Sequence, residues 1–179
     1  SGSGYDIACA QSEGPIIYQK NSTGPKWAPT SFDPSFKENL WFVYLGTKQD
    51  QRHAIKSYKE KKSKASDIAK ITQLTKDMSN ADNLKDFQTA MIQREEILSK
   101  RLGRPTVQQE KFSDFDGVIK SLGAWGGDFV LVSSEMSAQK VKEYFTQKGL
   151  EVCLPFRDLI LPPHDLGAQS NGKQNDLIH

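Results

Sequence analysis

The sequence contains little cysteine and no long hydrophobic run, and both features exclude whole classes of protein. Its two cysteines, Cys9 and Cys153, form no CxxC pair and lie near no histidine cluster, so we expect neither a zinc site nor a disulfide framework. A reducing cytoplasm is therefore the expected compartment. No apolar run approaches the ~18 residues of a membrane span. The first residues also lack the basic-then-apolar pattern of a secretory signal.

The chain also lacks a large excess of either positive or negative charge. The chain has 24 Lys and Arg against 22 Asp and Glu, a net charge of +2. This near balance argues against a nucleic-acid-binding protein, because such proteins usually present a strongly basic face. The length of 179 residues and a hydrophobic content of 36% suit one domain or slightly more. Because the chain opens at Ser1 without an initiator methionine, we expect a fragment or a processed product.

The most informative stretch is residues 118–133, where two apolar runs flank a glycine-rich segment. The pattern predicts two strands joined by a loop. Backbone amides in such a loop can form a concavity that binds an anion, so a phosphate is one candidate guest. A plain hairpin without a ligand is the alternative. The residues of the candidate loop are Gly123, Ala124, Trp125, Gly126, Gly127 and Asp128.

Near the start of the chain, a carboxylate lies among glycines and small residues. Ser3 or a neighbouring residue could cap a short helix, and Asp6 would then lie in its first turn. In the structural interpretation Asp6 stabilises the helix dipole. In the functional interpretation it accepts a proton from a substrate hydroxyl or orients that hydroxyl. Lys48 follows a predicted strand and is a weaker candidate for contact with an anionic substrate.

The remaining pattern predicts strands at the two ends of a helical middle. The predicted strands are 15–19, 40–45, 151–155 and 156–161, with a turn at 21–25 and no assignment for 27–34. Helices are expected between about 51 and 101, with apolar stripes at Ile68, Ile71, Leu74 and Met78 and at Leu84, Phe87, Met91 and Leu98. A further helix capped by Ser134 should carry Val141, Tyr144 and Phe145.

This order of elements predicts an α+β fold, a ferredoxin-like antiparallel sheet covered by helices. We expect one domain over residues 1–161. Residues 162–179 are rich in Pro, Gly, Asn and Gln and are expected to form a poorly ordered tail.

Two segments resemble motifs of the GHMP small-molecule kinases, the family of galactokinase, homoserine kinase, mevalonate kinase and phosphomevalonate kinase. The segment 120–128, KSLGAWGGD, is similar to the family's third motif, KxSGAGGGG, and 2–8, GSGYDIA, is similar to the aspartate segment of a Gly-Tyr-Asp-Ile-Ala subgroup. Trp125 stands where the family usually has glycine. The resemblance covers residues 2 to about 161 and implies the C-terminal domain of such a kinase.

The resemblance implies transfer of the γ-phosphoryl group of ATP, with Mg²⁺, to mevalonate or phosphomevalonate. Asp6 would be the catalytic residue, Ser3, Gly4 and Lys48 would contact substrate, and residues 123–128 would support the nucleotide loop. No PxxxGLGSSA-type phosphate loop occurs in these residues, so an N-terminal kinase domain is the implied partner and this chain alone should be inactive.

Two other functions remain open on the residues alone. One is a ferredoxin-like module for ligand binding or dimerisation, with the glycine segment as a plain hairpin. The other is an RNA-binding protein that uses the lysines between 56 and 64, although no aromatic residues that could stack on bases are interleaved with them.

Overall fold

The computed structural model describes residues 4–12, 14–21, 23–46, 65–123 and 128–159. These residues divide into two compact units, one containing the residues up to Ser31 and the other Phe32–Leu159. Among the described residues, no helix is long and apolar enough to cross a membrane. The predicted single domain over 1–161 stays a prediction, and the expected tail lies outside the described residues.

The first unit contains a short helix and a hairpin. Helix α1 is Tyr5–Ala10, and strands β1, Ile16–Asn21, and β2, Gly24–Pro29, pair antiparallel. The predicted first strand is confirmed, but β2 covers residues that the sequence left unassigned or placed in a turn. The N-cap of α1 is Gly4, at φ 83°, and it offers no side chain for capping. The predicted cap, Ser3, lies outside the described residues.

The second unit is built on a four-stranded sheet. Its strands are β3 (Leu40–Tyr44), β4 (Val118–Ser121), β5 (Phe129–Ser133) and β6 (Cys153–Pro155), and its helices are α2 (Ala65–Ser79), α3 (Leu84–Leu102), α4 (Val107–Lys111), α5 (Ala138–Gln147) and α6 (Phe156–Leu159). The strand order is β4-β5-β3-β6, and every neighbouring pair is antiparallel. A strand, helices, two strands, a helix and a strand follow in sequence, so this unit is an α+β, ferredoxin-like fold.

Helix α3 begins and ends where local chemistry requires it. The Asn83 side chain accepts the backbone N–H of Asp86 at 2.9 Å and caps the start of α3, and Gly103 ends that helix at φ 66°. Left-handed backbone at a helix C-terminus favours glycine.

The predicted apolar stripes of α2 and α3 are mostly correct, since Leu74, Phe87 and Met91 are buried. Ile68, in the first turn of α2, was expected in the core but is 50% exposed.

The core forms where alternate strand positions meet α5. Strand residues such as Trp41, Val43 and Val132 pack in one cluster with Val141 and Phe145, and all five are at most 1% exposed. Burial of large apolar side chains contributes about 1.5–3 kcal/mol each, so this cluster is the main source of the unit's stability.

Two local predictions are corrected by the structure, and one helix was missed. Helix α5 is capped by Ser137, whose side chain accepts the N–H of Lys140, whereas the hydroxyl of Ser134 donates to the Asp116 carbonyl at 2.6 Å. Residues 156–159 form helix α6 and not a strand. Helix α4 was not predicted, although Thr106 and Gln109 form a reciprocal capping box at its start.

Candidate functional site

The glycine-rich segment connects two adjacent strands, as the sequence predicts. The Leu122 N–H donates to the Phe129 carbonyl at 3.1 Å and closes the ladder between β4 and β5. Gly123 follows at φ 71°, a left-handed conformation that glycine adopts at little cost. On the return side, the Leu45 N–H donates to the Asp128 carbonyl at 2.7 Å. Both ends of the connection are therefore tied to the sheet.

Strand β4 lies at the edge of the sheet, and side chains form hydrogen bonds with those of its backbone groups that face away from β5. Gln108 of α4 donates to the Gly117 carbonyl and accepts the Ile119 N–H, both at 2.9 Å. Unpaired edge groups invite pairing with other chains, so these contacts seal one end of the strand.

The other end of β4 is held by charged groups. The Ser121 N–H donates to Oε2 of Glu95 at 3.2 Å, and Nζ of Lys120 donates to the Ser121 carbonyl at 2.9 Å. Ser121 is the last residue of β4 before the glycine-rich connection. Both backbone groups of this residue are therefore bound by ionisable side chains.

Both charged side chains are buried. Glu95 is 3% exposed and Lys120 is 8% exposed. Burial raises the pKa of Glu95, an effect that the Lys120 charge opposes. Burial, assisted by the Arg94 charge, lowers the pKa of Lys120 to about 8, while Glu95 acts in the opposite direction. Arg94 approaches the other Glu95 oxygen, with Nη1 3.9 Å from Oε1.

The pKa of Lys120 should fall further in Glu95→Gln, because this change removes the negative charge that favours the ammonium form. In the wild type the free energy of unfolding should rise between pH ~8 and ~10.5, since the unfolded chain retains the Lys120 proton over that range. In the variant this rise should begin at lower pH. Carbon-13 NMR titration of the lysine Cε resonances, assigned with Lys120→Arg, measures the shift. An equal Lys120 pKa in both proteins would contradict the coupling.

Asp128 supplies a second unusual carboxylate at the glycine-rich connection. Its Oδ1 atom is buried and accepts no hydrogen bond. A buried acceptor without a donor is destabilising, and Oε1 of Glu95 is in the same condition, so each of these two carboxylates has one oxygen without a hydrogen bond. The described residues contain no group of three or more His, Cys, Asp or Glu side chains that could hold a metal ion.

The structure describes part of the predicted site. Gly4 and the backbone of Asp6 lie at the start of α1 in the first unit, and Gly123 and Asp128 lie at the two ends of the β4–β5 connection in the second. That these two segments contribute to one site stays a prediction. The predicted positions Ser3, Lys48, Ala124, Trp125, Gly126 and Gly127 lie outside the described residues.

Glu95 was not identified from the sequence, although a signal was present. The apolar stripe of α3 steps from Met91 to Leu98, a gap of two turns. Glu95 lies four residues after Met91 and three before Leu98 and therefore occupies the same face. A carboxylate at a core position requires a buried hydrogen-bond partner, which here is the Ser121 N–H.

Comparison with known proteins supports the fold and no more. No protein-family model matches the chain, and no curated protein is significantly similar to it. The structure is similar to the crystal structure of a Lin0012 protein from Listeria innocua, with a TM-score of 0.56 and 15% sequence identity. The match covers 73% of this chain and 41% of that one, so the chain spans less than half the length of that protein. The shared feature is the α+β fold.

Proposed function

We propose that this chain is part of an ATP- and Mg²⁺-dependent kinase of the GHMP type that phosphorylates mevalonate or phosphomevalonate. The observation that carries the proposal is the position of the motif-like segment 120–128. It forms the end of β4 and the connection to β5 in a ferredoxin-like unit, with both ends tied to the sheet. This arrangement suits a loop that must hold a fixed position against a nucleotide-binding element.

Phosphoryl transfer requires a protein mainly to position the reactants and neutralise charge. In this proposal Asp6 orients or deprotonates the acceptor group of the substrate. Ser3, Gly4 and Lys48 contact the acceptor, and residues 123–128 support the loop that holds ATP. Gly4 adopts a left-handed backbone at the start of α1, with φ 83°, and the Tyr18 hydroxyl would lie 3.4 Å from a methyl group added there.

The nucleotide and its metal would be held largely by a partner N-terminal kinase domain. Mg²⁺ would supply charge neutralisation at the phosphates. The described residues of this chain offer no cluster of metal-binding side chains, so we assign it no metal ligand. The cytoplasm is the proposed compartment, in agreement with the free thiols of Cys9 and Cys153.

The proposal is tested by assaying the protein as its gene encodes it, with ATP, Mg²⁺ and either mevalonate or phosphomevalonate. We expect formation of ADP that depends on one of the two acceptors, followed in a coupled spectrophotometric assay. A reaction without acceptor gives the background, and the 179-residue chain alone should not exceed it. Failure of both acceptors to raise ADP formation above background would overturn the proposal.

A further inference from the structure

The two ends of edge strand β4 are sealed by different chemistry. At the first end, the neutral amide of Gln108 satisfies the Gly117 carbonyl and the Ile119 N–H. At the second end, next to the glycine-rich connection, the carboxylate of Glu95 and the ammonium of Lys120 bind the N–H and carbonyl of Ser121. Edge sealing alone therefore does not require charge, since a neutral side chain achieves it in the same strand.

Two buried charged side chains are a costly way to satisfy two backbone groups. Removing both charges from water is only partly offset by the hydrogen bonds that each of them makes with Ser121. The bonds at this end are not shorter than those of Gln108, since Glu95 lies 3.2 Å from the Ser121 nitrogen and Lys120 lies 2.9 Å from the Ser121 oxygen. What distinguishes this end is that both backbone groups of one residue are held, so the position of the Ser121 backbone is constrained from two sides.

We propose that Glu95 and Lys120 are positioning residues that fix the Ser121 backbone, and with it the point where the glycine-rich connection leaves the sheet. This inference rests on the proposed function, in which that connection supports the nucleotide loop. Both side chains are buried and contact the Ser121 backbone. They act through the Ser121 N–H and carbonyl, and the Leu122–Phe129 hydrogen bond carries the constraint into the connection.

The kinetic test compares two substitutions of Glu95 in the protein as encoded. Glu95→Ala removes the acceptor of the Ser121 N–H, whereas Glu95→Gln keeps an acceptor oxygen and removes only the charge. We expect Glu95→Ala to lower kcat/KM for ATP about thirtyfold through a raised KM, because small displacements of positioning groups have large effects. The KM for the acceptor should change less than about twofold, and Glu95→Gln should recover part of the loss.

Met91→Ala is the matched control for stability. Met91 is fully buried in the same helix, one turn before Glu95, and makes none of the Ser121 contacts. A variant that is merely destabilised loses active protein and therefore kcat, without a selective rise in the KM for ATP. If Glu95→Ala and Met91→Ala have the same KM for ATP within about twofold, the positioning role is overturned.

A structural measurement separates this inference from the kinase proposal. In 5-fluorotryptophan-labelled protein, the fluorine resonance of Trp125, assigned with Trp125→Phe, reports on the connection without turnover. We expect Glu95→Ala and Lys120→Met each to shift this resonance. Each should also increase the hydrogen-exchange rate of the Ser121 amide at least about tenfold more than Met91→Ala does. If the wild type turns over no ATP, the proposed function fails. The resonance shift and the amide exchange then still test whether Glu95 and Lys120 fix the Ser121 backbone. Unchanged values in both variants would overturn this inference.

Discussion

In the proposed kinase, assayed as its gene encodes it, replacing Asp6 with asparagine should lower ATP turnover about 10²–10⁴-fold, the usual contribution of a group that accepts or directs a proton. The amide matches the carboxylate in size but accepts no proton at neutral pH. The substitution removes one charge from the first turn of α1, where a carboxylate is worth only ~0.3–1 kcal/mol. The fold should therefore survive while catalysis is lost. Steady-state kinetics and circular dichroism of the same preparations measure the two effects.

The matched control for this substitution is Asp33→Asn. Asp33 is an exposed carboxylate that accepts from Lys37 at 2.8 Å, and exposed pairs of this kind contribute at most about 1 kcal/mol. The Asp33→Asn substitution should leave kcat unchanged. Equal turnover by Asp6→Asn and wild type would remove Asp6 from the mechanism and favour the binding-module alternative.

Gly117→Ala should lower the free energy of unfolding by about 3 kcal/mol, through overpacking and backbone strain together. Gly117 has φ 153°, and a methyl group at this position would collide with the Ser133 carbonyl oxygen. It would also lie 2.8 Å from Cε1 of Phe115 and 2.9 Å from Cβ of Ser134. Since the closest contact is backbone, no side-chain rotation can relieve it.

Thermal and urea unfolding measure this loss, which corresponds to a melting temperature about 10 °C lower for a unit of this size. Gly149→Ala separates strain from close contact. Gly149 also has a left-handed backbone, at φ 76°, but a methyl group added there would meet no atom within 4 Å. Its substitution should therefore cost only about 1 kcal/mol. Equal losses in the two variants would show that the close approach at Gly117 is unimportant.

Hydrophobic period and turn chemistry predicted most elements of the second unit. The run at 40–45 and the two runs around the glycine-rich segment became β3, β4 and β5 with little change. The break at 80–82 separated α2 from α3 as expected. These predictions succeeded because the apolar period and the residues that end a helix act locally.

The errors arose where two local signals compete and packing decides between them. Ser134 and Ser137 are both plausible N-caps, and Ser134 was recruited by the Asp116 carbonyl 18 residues away. The apolar residues from 156 onward predicted a strand. Phe156 instead stacks on Phe42 of β3, with ring centroids 5.9 Å apart, and begins a short helix. Neither contact is visible in the order of residues.

The sequence by itself determined the α+β class, the strand–loop–strand unit and the motifs that suggest a kinase, since each depends on residues that are neighbours along the chain. Only the tertiary structure placed the buried Glu95 of α3 against the Ser121 N–H, 26 residues later. The physical reason is that a charge is tolerated in a protein interior only when the fold brings its partner to it. That partner is chosen by packing and not by distance in sequence.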